Sequence, residues 1–288
     1  PAGLEASRAL GQRGYGVMLA EAGSEPGGRV SLESRLPGLS EWARVRDWRL
    51  QQLTKLPGVE LYLESPMSAA DALGCETDHI LVATGAEWRR DGVGIHRATA
   101  IDLAPDTPVF SPDDIMAGNL PDGPVALYDD DTYYMSATIA MALRQAGREV
   151  MIISAHPLIG PWTKHTEELG FTNAQLRNAD VAIHCNEVVS RMEAGRVTSS
   201  CQFTGREVTR EARSLVVVTA QRPKDELFRE LETHPDRPGT LTLQRIGDCR
   251  APGIIAHAVY SGHRAARLLG AAPETEIRHE AIRLDPAG

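Results

Sequence analysis

Four residues near the start of the chain have the types and spacing to hold a nucleotide. Gly3 stands in a run, Pro1 to Leu10, that reads as a helix, and Glu21 closes the apolar stretch Gly16 to Ala20, which reads as a strand. A helix laid closely on a sheet through a glycine, then a strand ending in one carboxylate, places backbone N–H groups at a diphosphate and an acid at the ribose hydroxyls. Gly28 and Arg29 follow in the loop Pro26-Gly27-Gly28-Arg29. Paired glycines let backbone approach a phosphate, and the arginine supplies positive charge. An ordinary turn with a surface arginine is the alternative; its place just after Glu21 favours the nucleotide. The strand and first two glycines of a full G-x-G-x-x-G fingerprint would precede Pro1, so the sequence is expected to be a fragment that begins inside its own motif.

Two strand ends complete this constellation. Thr84 and Gly85 follow the apolar run His79 to Ala83, the kind of strand end where a doubly wound sheet binds ligand. Gly247 and Asp248 follow Leu241 to Ile246 and precede a final helix from about Gly253 to Leu269. Asp248 could face a cofactor, or simply be a favourable charge at a helix N-terminus.

The elements that must carry these residues read as two units. In the first, Ser40 is placed to cap a helix through Leu53, with Trp42, Val45, Leu50 and Leu53 facing inward. Trp48 falls among its charged positions, either as a handle for a partner or as a half-buried cover for the helix edge. Val59 to Leu63 reads as a strand. Residues 105–124 hold five prolines and read as a linker around a short helix at Asp113 to Met116. A second βαβ pattern follows: strand Val125 to Tyr128, helix Ser136 to Ala146, strand Glu149 to Ile153. Where its glycine loop belongs stand Asp129, Asp131 and Tyr134, two carboxylates that repel a pyrophosphate and a ring that fills the space backbone needs. Ser154-Ala155-His156 replaces the acid after its second strand. The unit therefore has the shape of a nucleotide-binding domain without the chemistry. Short strands are expected at Ala182 to His184, Glu187 to Met192, Arg196 to Thr198, Cys201 to Phe203 and Ser214 to Thr219. The final helix should turn Ile254, Ile255, Ala258, Val259 and Leu268 inward.

Composition narrows the function classes. The 288 residues allow about two domains, and a net charge of -9 without a Lys/Arg cluster argues against a nucleic-acid surface. No run approaches the ~18 apolar residues of a membrane span and no signal peptide is recognisable, so a soluble cytoplasmic protein is expected. Cys75, Cys185, Cys201 and Cys249 lack C-x-x-C spacing, so neither a zinc site nor a disulfide scaffold is expected. No metal ligands and no catalytic acid–base pair are assigned.

Taken in order, Pro-Ala-Gly-Leu-Glu-Ala, Glu21, Gly27-Gly28-Arg29, Ala83-Thr84-Gly85 and Ile246-Gly247-Asp248 resemble the flavoprotein reductases built from two dinucleotide domains. More narrowly, Leu36-Pro37-Gly38-Leu39-Ser40-Glu41-Trp42, Ala83 to Trp88, Asp131-Thr132-Tyr133-Tyr134-Met135, Ala251-Pro252 and Gly262-His263-Arg264 are similar to the C-terminal half of the trimethylamine dehydrogenase family. That family includes 2,4-dienoyl-CoA reductase and demethylases of N-methylated amino acids. The resemblance implies an α/β fold of two Rossmann-like three-layer domains, the second inserted in the first. Residues 1–107 and 243–288 would form an ADP- or FAD-binding domain lacking its first strand, and 108–242 an NAD(P)-binding-like domain with a degenerate glycine loop. Gly3, Glu21, Gly28, Arg29, Thr84, Gly85, Gly247 and Asp248 would line the cofactor site. FMN and a [4Fe–4S] cluster would belong to a preceding part.

The emptied second loop points to the amine dehydrogenase and demethylase branch, which passes electrons to an electron-transfer flavoprotein rather than taking hydride from NADPH. A dienoyl-CoA-reductase-like enzyme and a non-catalytic nucleotide-binding scaffold are the alternatives. Oligomeric state is open, a homo-oligomer included.

Overall fold

The computed structural model describes residues 1–270; the end of the expected first domain, 271–288, lies outside them. The chain opens with α1 (Ala2–Gln12), β1 (Val17–Ala20), α2 (Arg29–Glu33), α3 (Ala43–Leu53), β2 (Val59–Tyr62), α4 (Ala69–Gly74), β3 (His79–Val82) and β4 (Ala86–Trp88). β1 pairs in parallel with β2, Val17 opposite Val59 through Ala20 opposite Tyr62. Ser40 does not cap α3: Ser40–Trp42 forms a 3-10 turn leading into it. Trp48 is 48% exposed and lies beneath the guanidinium groups of Arg8 and Arg49, 5.3 and 5.5 Å from its ring centroid.

The middle of the chain builds β5 (Asp102–Leu103), β6 (Val109–Phe110), α5 (Pro112–Met116), β7 (Val125–Asp129), α6 (Met135–Gln145), β8 (Val150–Ser154), α7 (Leu169–Asn178) and β9 (Ala182–Cys185). It continues through β10 (Glu187–Glu193), β11 (Arg196–Cys201), β12 (Glu207–Glu211), β13 (Ser214–Val218) and β14 (Gln221–Pro223). Five of these strands form a parallel sheet in the order β6-β13-β7-β8-β9. The proline-rich segment is thus more than a linker. Val109 and Phe110 pair with Leu215 and Val216, because Pro108 accepts the Leu215 N–H and leaves the next two residues extended beside β13.

Alternation along the buried strands sorts the core into two layers. Leu127, Ile152 and Val216 face Ile139 and Leu143 of α6 and Leu176 of α7. Ala126, Tyr128, Ile153, Leu215 and Val217 face Val189, Met192 and Val197 of the antiparallel meander β10-β11-β12. Each fully buried aliphatic side chain contributes about 1.5–3 kcal/mol. The expected strand at Cys201 to Phe203 is instead the end of β11 and a turn, with Phe203 exposed.

After α8 (Glu226–Thr233), β15 (Thr242–Arg245) returns to pair in parallel with β3, and α9 (Ile255–Leu268) lies against α1. The contact face of α9 is made of small residues, Ala258, Gly262, Ala265 and Ala266, and Ile254 is exposed rather than inward. The reason is distance: a Cβ on Gly262 would lie 2.2 Å from the Ala2 carbonyl oxygen, and one on Gly247 2.6 Å from the Ala2 Cβ. Only glycines let α9 and the turn after β15 come this close to the start of α1. Gly262→Ala should therefore destabilise the protein by about 1–2 kcal/mol, overpacking outweighing the helix-propensity gain of ~1 kcal/mol. Urea denaturation reads this directly, and a variant as stable as the parent would refute the close approach.

Candidate functional site

The start of α1 is where most of the expected site residues meet. Gly3 sits over both sheet fragments: a Cβ there would be 3.4 Å from Ala83 Cβ after β3 and 3.5 Å from Leu19 Cδ1 in β1. The turn at Gly247, directly before Asp248, lies against Ala2 at the start of the helix, where a Gly247 Cβ would be 2.6 Å from the Ala2 Cβ. Asp248 brings Arg29 to the same turn at 3.0 Å, so both lie beside the start of α1.

Glu21 extends the ladder of β1, its N–H donating to the Tyr62 carbonyl at 2.8 Å. This fixes where its carboxylate emerges. Oε1 accepts the Gly23 N–H at 3.0 Å, and among the described residues Oε2 has no hydrogen-bond partner. The acid is held but not spent. Gly28, at φ 54°, caps α2, and no atom lies within 4 Å of where a Cβ would stand. Such an open cradle lets another group come up against the backbone.

Arg29 is placed differently from a free phosphate ligand. Its Nε donates to Glu33 Oε1 at 2.8 Å, Nη1 to Asp248 Oδ2 at 3.0 Å and to the Gly253 carbonyl at 2.6 Å, and Nη2 to the Tyr134 hydroxyl at 3.3 Å. The Tyr134 hydroxyl donates in turn to Glu33 Oε2 at 2.6 Å, and the Gly253 N–H to Asp248 Oδ1 at 3.2 Å. Glu33 is 1% exposed and Asp248 6%. The guanidinium is largely committed to neutralising two buried carboxylates from distant parts of the chain. Burial and Glu33 together push the Tyr134 phenol well above its ordinary range, so it stays a donor. Glu33 and Tyr134 were not among the expected site residues; the i,i+4 spacing of Arg29 and Glu33 was a signal available in the sequence.

Thr84 and Gly85 lie at the end of β3 but turn to the segment after β14. The Thr84 hydroxyl donates to the Lys224 carbonyl, and the Lys224 N–H donates to the Gly85 carbonyl at 3.0 Å. They close the edge between β3 and β14 rather than joining the Arg29 cluster.

In the second unit, the loop after β7 carries its own anions. Asp129 is fully buried and accepts from Ser136 and Ser154; burial pushes its carboxyl up to about 7 against those hydrogen bonds. Burial likewise pushes Asp131 up to about 6, opposed by the backbone N–H groups of Tyr133, Met135 and Thr132 and by Arg29. Two buried acids thus stand in the loop where a nucleotide-binding unit would receive a phosphate. Tyr134 leaves this crevice instead of filling it, packing edge-on against Trp42 at 4.6 Å while its hydroxyl joins Arg29. A separate cleft of about 300 Å³, lined by Leu32, Leu36, Ile115, Met116 and Ala142, carries none of these groups.

Residues 110–225 match the family of the OYE-like second alpha/beta domain. The chain is 31% identical to dimethylamine dehydrogenase of Hyphomicrobium sp. (strain x) over 297 residues, 93% of this chain and 40% of that protein. It is 28% identical to the probable N-methylproline demethylase of Rhizobium meliloti (strain 1021), over 84% of this chain and 35% of that protein. The structure superimposes on histamine dehydrogenase from Rhizobium sp. 4-9 with a TM-score of 0.93 and 39% identity, covering 96% of this chain and 43% of the other. The chain is homologous to amine dehydrogenases. It spans about two fifths of the length of these relatives. Among the described residues no helix is long and apolar enough to cross a membrane.

Two predictions follow from the charge clusters around α1. Arg29→Gln leaves Glu33 and Asp248 buried without their cation and should cost about 3–5 kcal/mol in chemical denaturation. A loss below 1 kcal/mol, roughly the worth of an exposed pair, would show that the cluster is solvated. Glu5, on the inner side of α1, accepts from Arg8 at 2.6 Å, Arg49 at 2.8 Å and His263 at 2.9 Å. Burial alone would raise its carboxyl, but these partners outweigh it and hold it below the ordinary 4.5. A depressed folded-state pKa contributes stability that is present above 4.5 and lost as pH falls through the folded value. Melting temperature should drop more steeply on acidification in the parent than in Glu5→Gln; parallel curves would contradict the assignment.

Proposed function

We propose that this chain is the nucleotide-holding C-terminal part of an iron–sulfur flavoprotein that dehydrogenates or demethylates a methylated amine or N-methyl amino acid. The observation that carries this reading is the Glu21 carboxylate, fixed through Oε1 with Oε2 free, at the end of the strand that lies under Gly3 of α1. In this reading the adenosine ribose of ADP, or of FAD, hydrogen-bonds to Glu21 and its diphosphate meets the first-turn amides of α1 and the open backbone at Gly28. Gly3 keeps α1 down on the sheet, and Gly247 lets Asp248 reach Arg29. Arg29 acts as the counter-ion of Asp248, so that no unpaired carboxylate faces the phosphates. Thr84 and Gly85 close the far edge.

The pairings β1–β2 and β3–β15 support a nucleotide domain made of 1–107 and 243–288, with 108–242 inserted. Both sheet fragments lie under α1 yet are not bonded to each other, which is the arrangement expected if one further strand belongs between them. Two Rossmann-like domains, as in flavoprotein reductases, are the fold this implies.

FMN and the [4Fe–4S] cluster are proposed for another part of the protein. The four cysteines here are separate free thiols, and among the described residues none joins a group able to hold a metal. Bound flavin supplies the hydride- and electron-accepting chemistry; this chain's residues bind and orient a nucleotide. The carboxylates of Asp129 and Asp131 in the second crevice support electron delivery to an electron-transfer flavoprotein, in a cytoplasmic enzyme, over reduction by NADPH.

Nucleotide extracted from the purified full-length protein should be ADP or FAD in one equivalent, and Glu21→Ala should lose it. NADPH should not bleach the flavin. Full nucleotide content in Glu21→Ala would remove Glu21 from the site, and rapid bleaching by NADPH would favour a dienoyl-CoA-reductase-like enzyme.

A further inference from the structure

Asp130 follows β7 at the carboxyl edge of the five-stranded sheet, is wholly buried, and has no Lys or Arg partner among the described residues. Its carboxylate meets only imidazoles and one amide. Oδ2 accepts the His96 N–H at 2.9 Å, Oδ1 lies 2.6 Å from His96 Nδ1, and His156 Nε2 stands 3.8 Å from the same Oδ1. His156 is 8% exposed and its Nε2 has no hydrogen-bond partner. A buried carboxylate held only by neutral-type donors faces a buried imidazole nitrogen without a partner, and the orphaned nitrogen is costly. One cation between them would resolve both.

We propose that His96, Asp130 and His156 form a binding site for a divalent transition-metal ion of the zinc class. Two imidazole nitrogens and one carboxylate oxygen suit that ion, and bonds of about 2.0–2.2 Å in a tetrahedron put donor atoms roughly 3.4 Å apart. The donor atoms here all lie within 4.8 Å of one another, and the 2.6 and 3.8 Å separations bracket the tetrahedral spacing. Only His96 has to move, and it is the exposed member, on the loop between β4 and β5. Asp130 and His156 are pinned by the backbone: the Asp130 N–H donates to the Val218 carbonyl, and the His156 carbonyl accepts from Asn186.

The ion would tie the His96 loop to the sheet edge. That loop already approaches closely: a Cβ on Gly94 would lie 2.4 Å from Asp130 Oδ2, and the Thr219 hydroxyl donates to the Val93 carbonyl at 2.9 Å. A crevice that binds ligands in open α/β sheets would then be closed by a metal-clamped loop.

The test is elemental analysis of the full-length protein after chelator dialysis and reloading with zinc, counting zinc and iron separately, alongside visible spectra with Co²⁺. The wild type should retain one zinc per chain and give the intense absorption of tetrahedral Co²⁺. His96→Ala and His156→Gln should lose both signals, with iron content and circular dichroism unchanged. His96→Ala alters an exposed side chain, so its loss cannot be assigned to unfolding. A wild type that retains no zinc, with the three residues forming hydrogen bonds only, would overturn the proposal. So would zinc that persists in both variants, since it would then sit elsewhere on the surface.

Discussion

The arrangement depends on burying one guanidinium. Arg29 draws together α2 through Glu33, the turn after β15 through Asp248 and Gly253, and the second unit through Tyr134. Three segments separated by up to 224 residues thereby share one charge balance. Buried ion pairs of this kind contribute little net stability compared with apolar packing, but they are severe about partners, because any misplaced member leaves a charge uncompensated. The cluster therefore fixes the register of the two units more than it adds to their stability. Its location beside the α1 N-terminus matters for chemistry: without Arg29, Asp248 would be a bare carboxylate next to the place proposed for a diphosphate.

Close packing sets the second constraint. The start of α1 is gripped by Gly247 and by Gly262 of α9, at distances no side chain permits. Glu5, one turn further on, binds α1 to α3 through Arg49 and to α9 through His263. A helix held on one side by backbone contact and on the other by a buried charge cluster cannot pivot, so its free amides keep a fixed direction. That fixity is what a preorganised anion site requires.

Much of this was legible in the sequence wherever one strong local signal sufficed. The apolar runs of β7, β8 and β13, ended by turn residues, marked the buried strands, and the glycines and acids at strand ends marked the crevices. Weak or distant signals were lost. α7 buries only Leu176, so its residues show no apolar period, and β12 is an edge strand of charged residues, Glu207 to Glu211. β6 lay hidden in proline-rich sequence because its pairing depends on β13, more than a hundred residues away. α9 was read by its isoleucines although its packing face is set by alanines and a glycine, since closeness to α1 favours absence of side chain over hydrophobicity. The distant partners of Arg29, Asp248, Gly253 and Tyr134, and the convergence of His96, Asp130 and His156 are products of tertiary structure, with no spacing to announce them.

The two sheet edges show opposite uses of the same architecture. At the first, helix amides, an open glycine and a half-satisfied Glu21 leave hydrogen-bonding capacity facing outward. At the second, the chain occupies the crevice itself: Asp129 is sealed in by Ser136 and Ser154, and the His96 loop lies across Asp130. Removing a ligand site by deleting glycines alone would leave unpaired N–H groups at a helix end, a cost of about 1–3 kcal/mol for each buried donor. The second crevice is thus filled by buried polar groups of the chain itself, Asp129 with its two serines and Asp130 with its histidines.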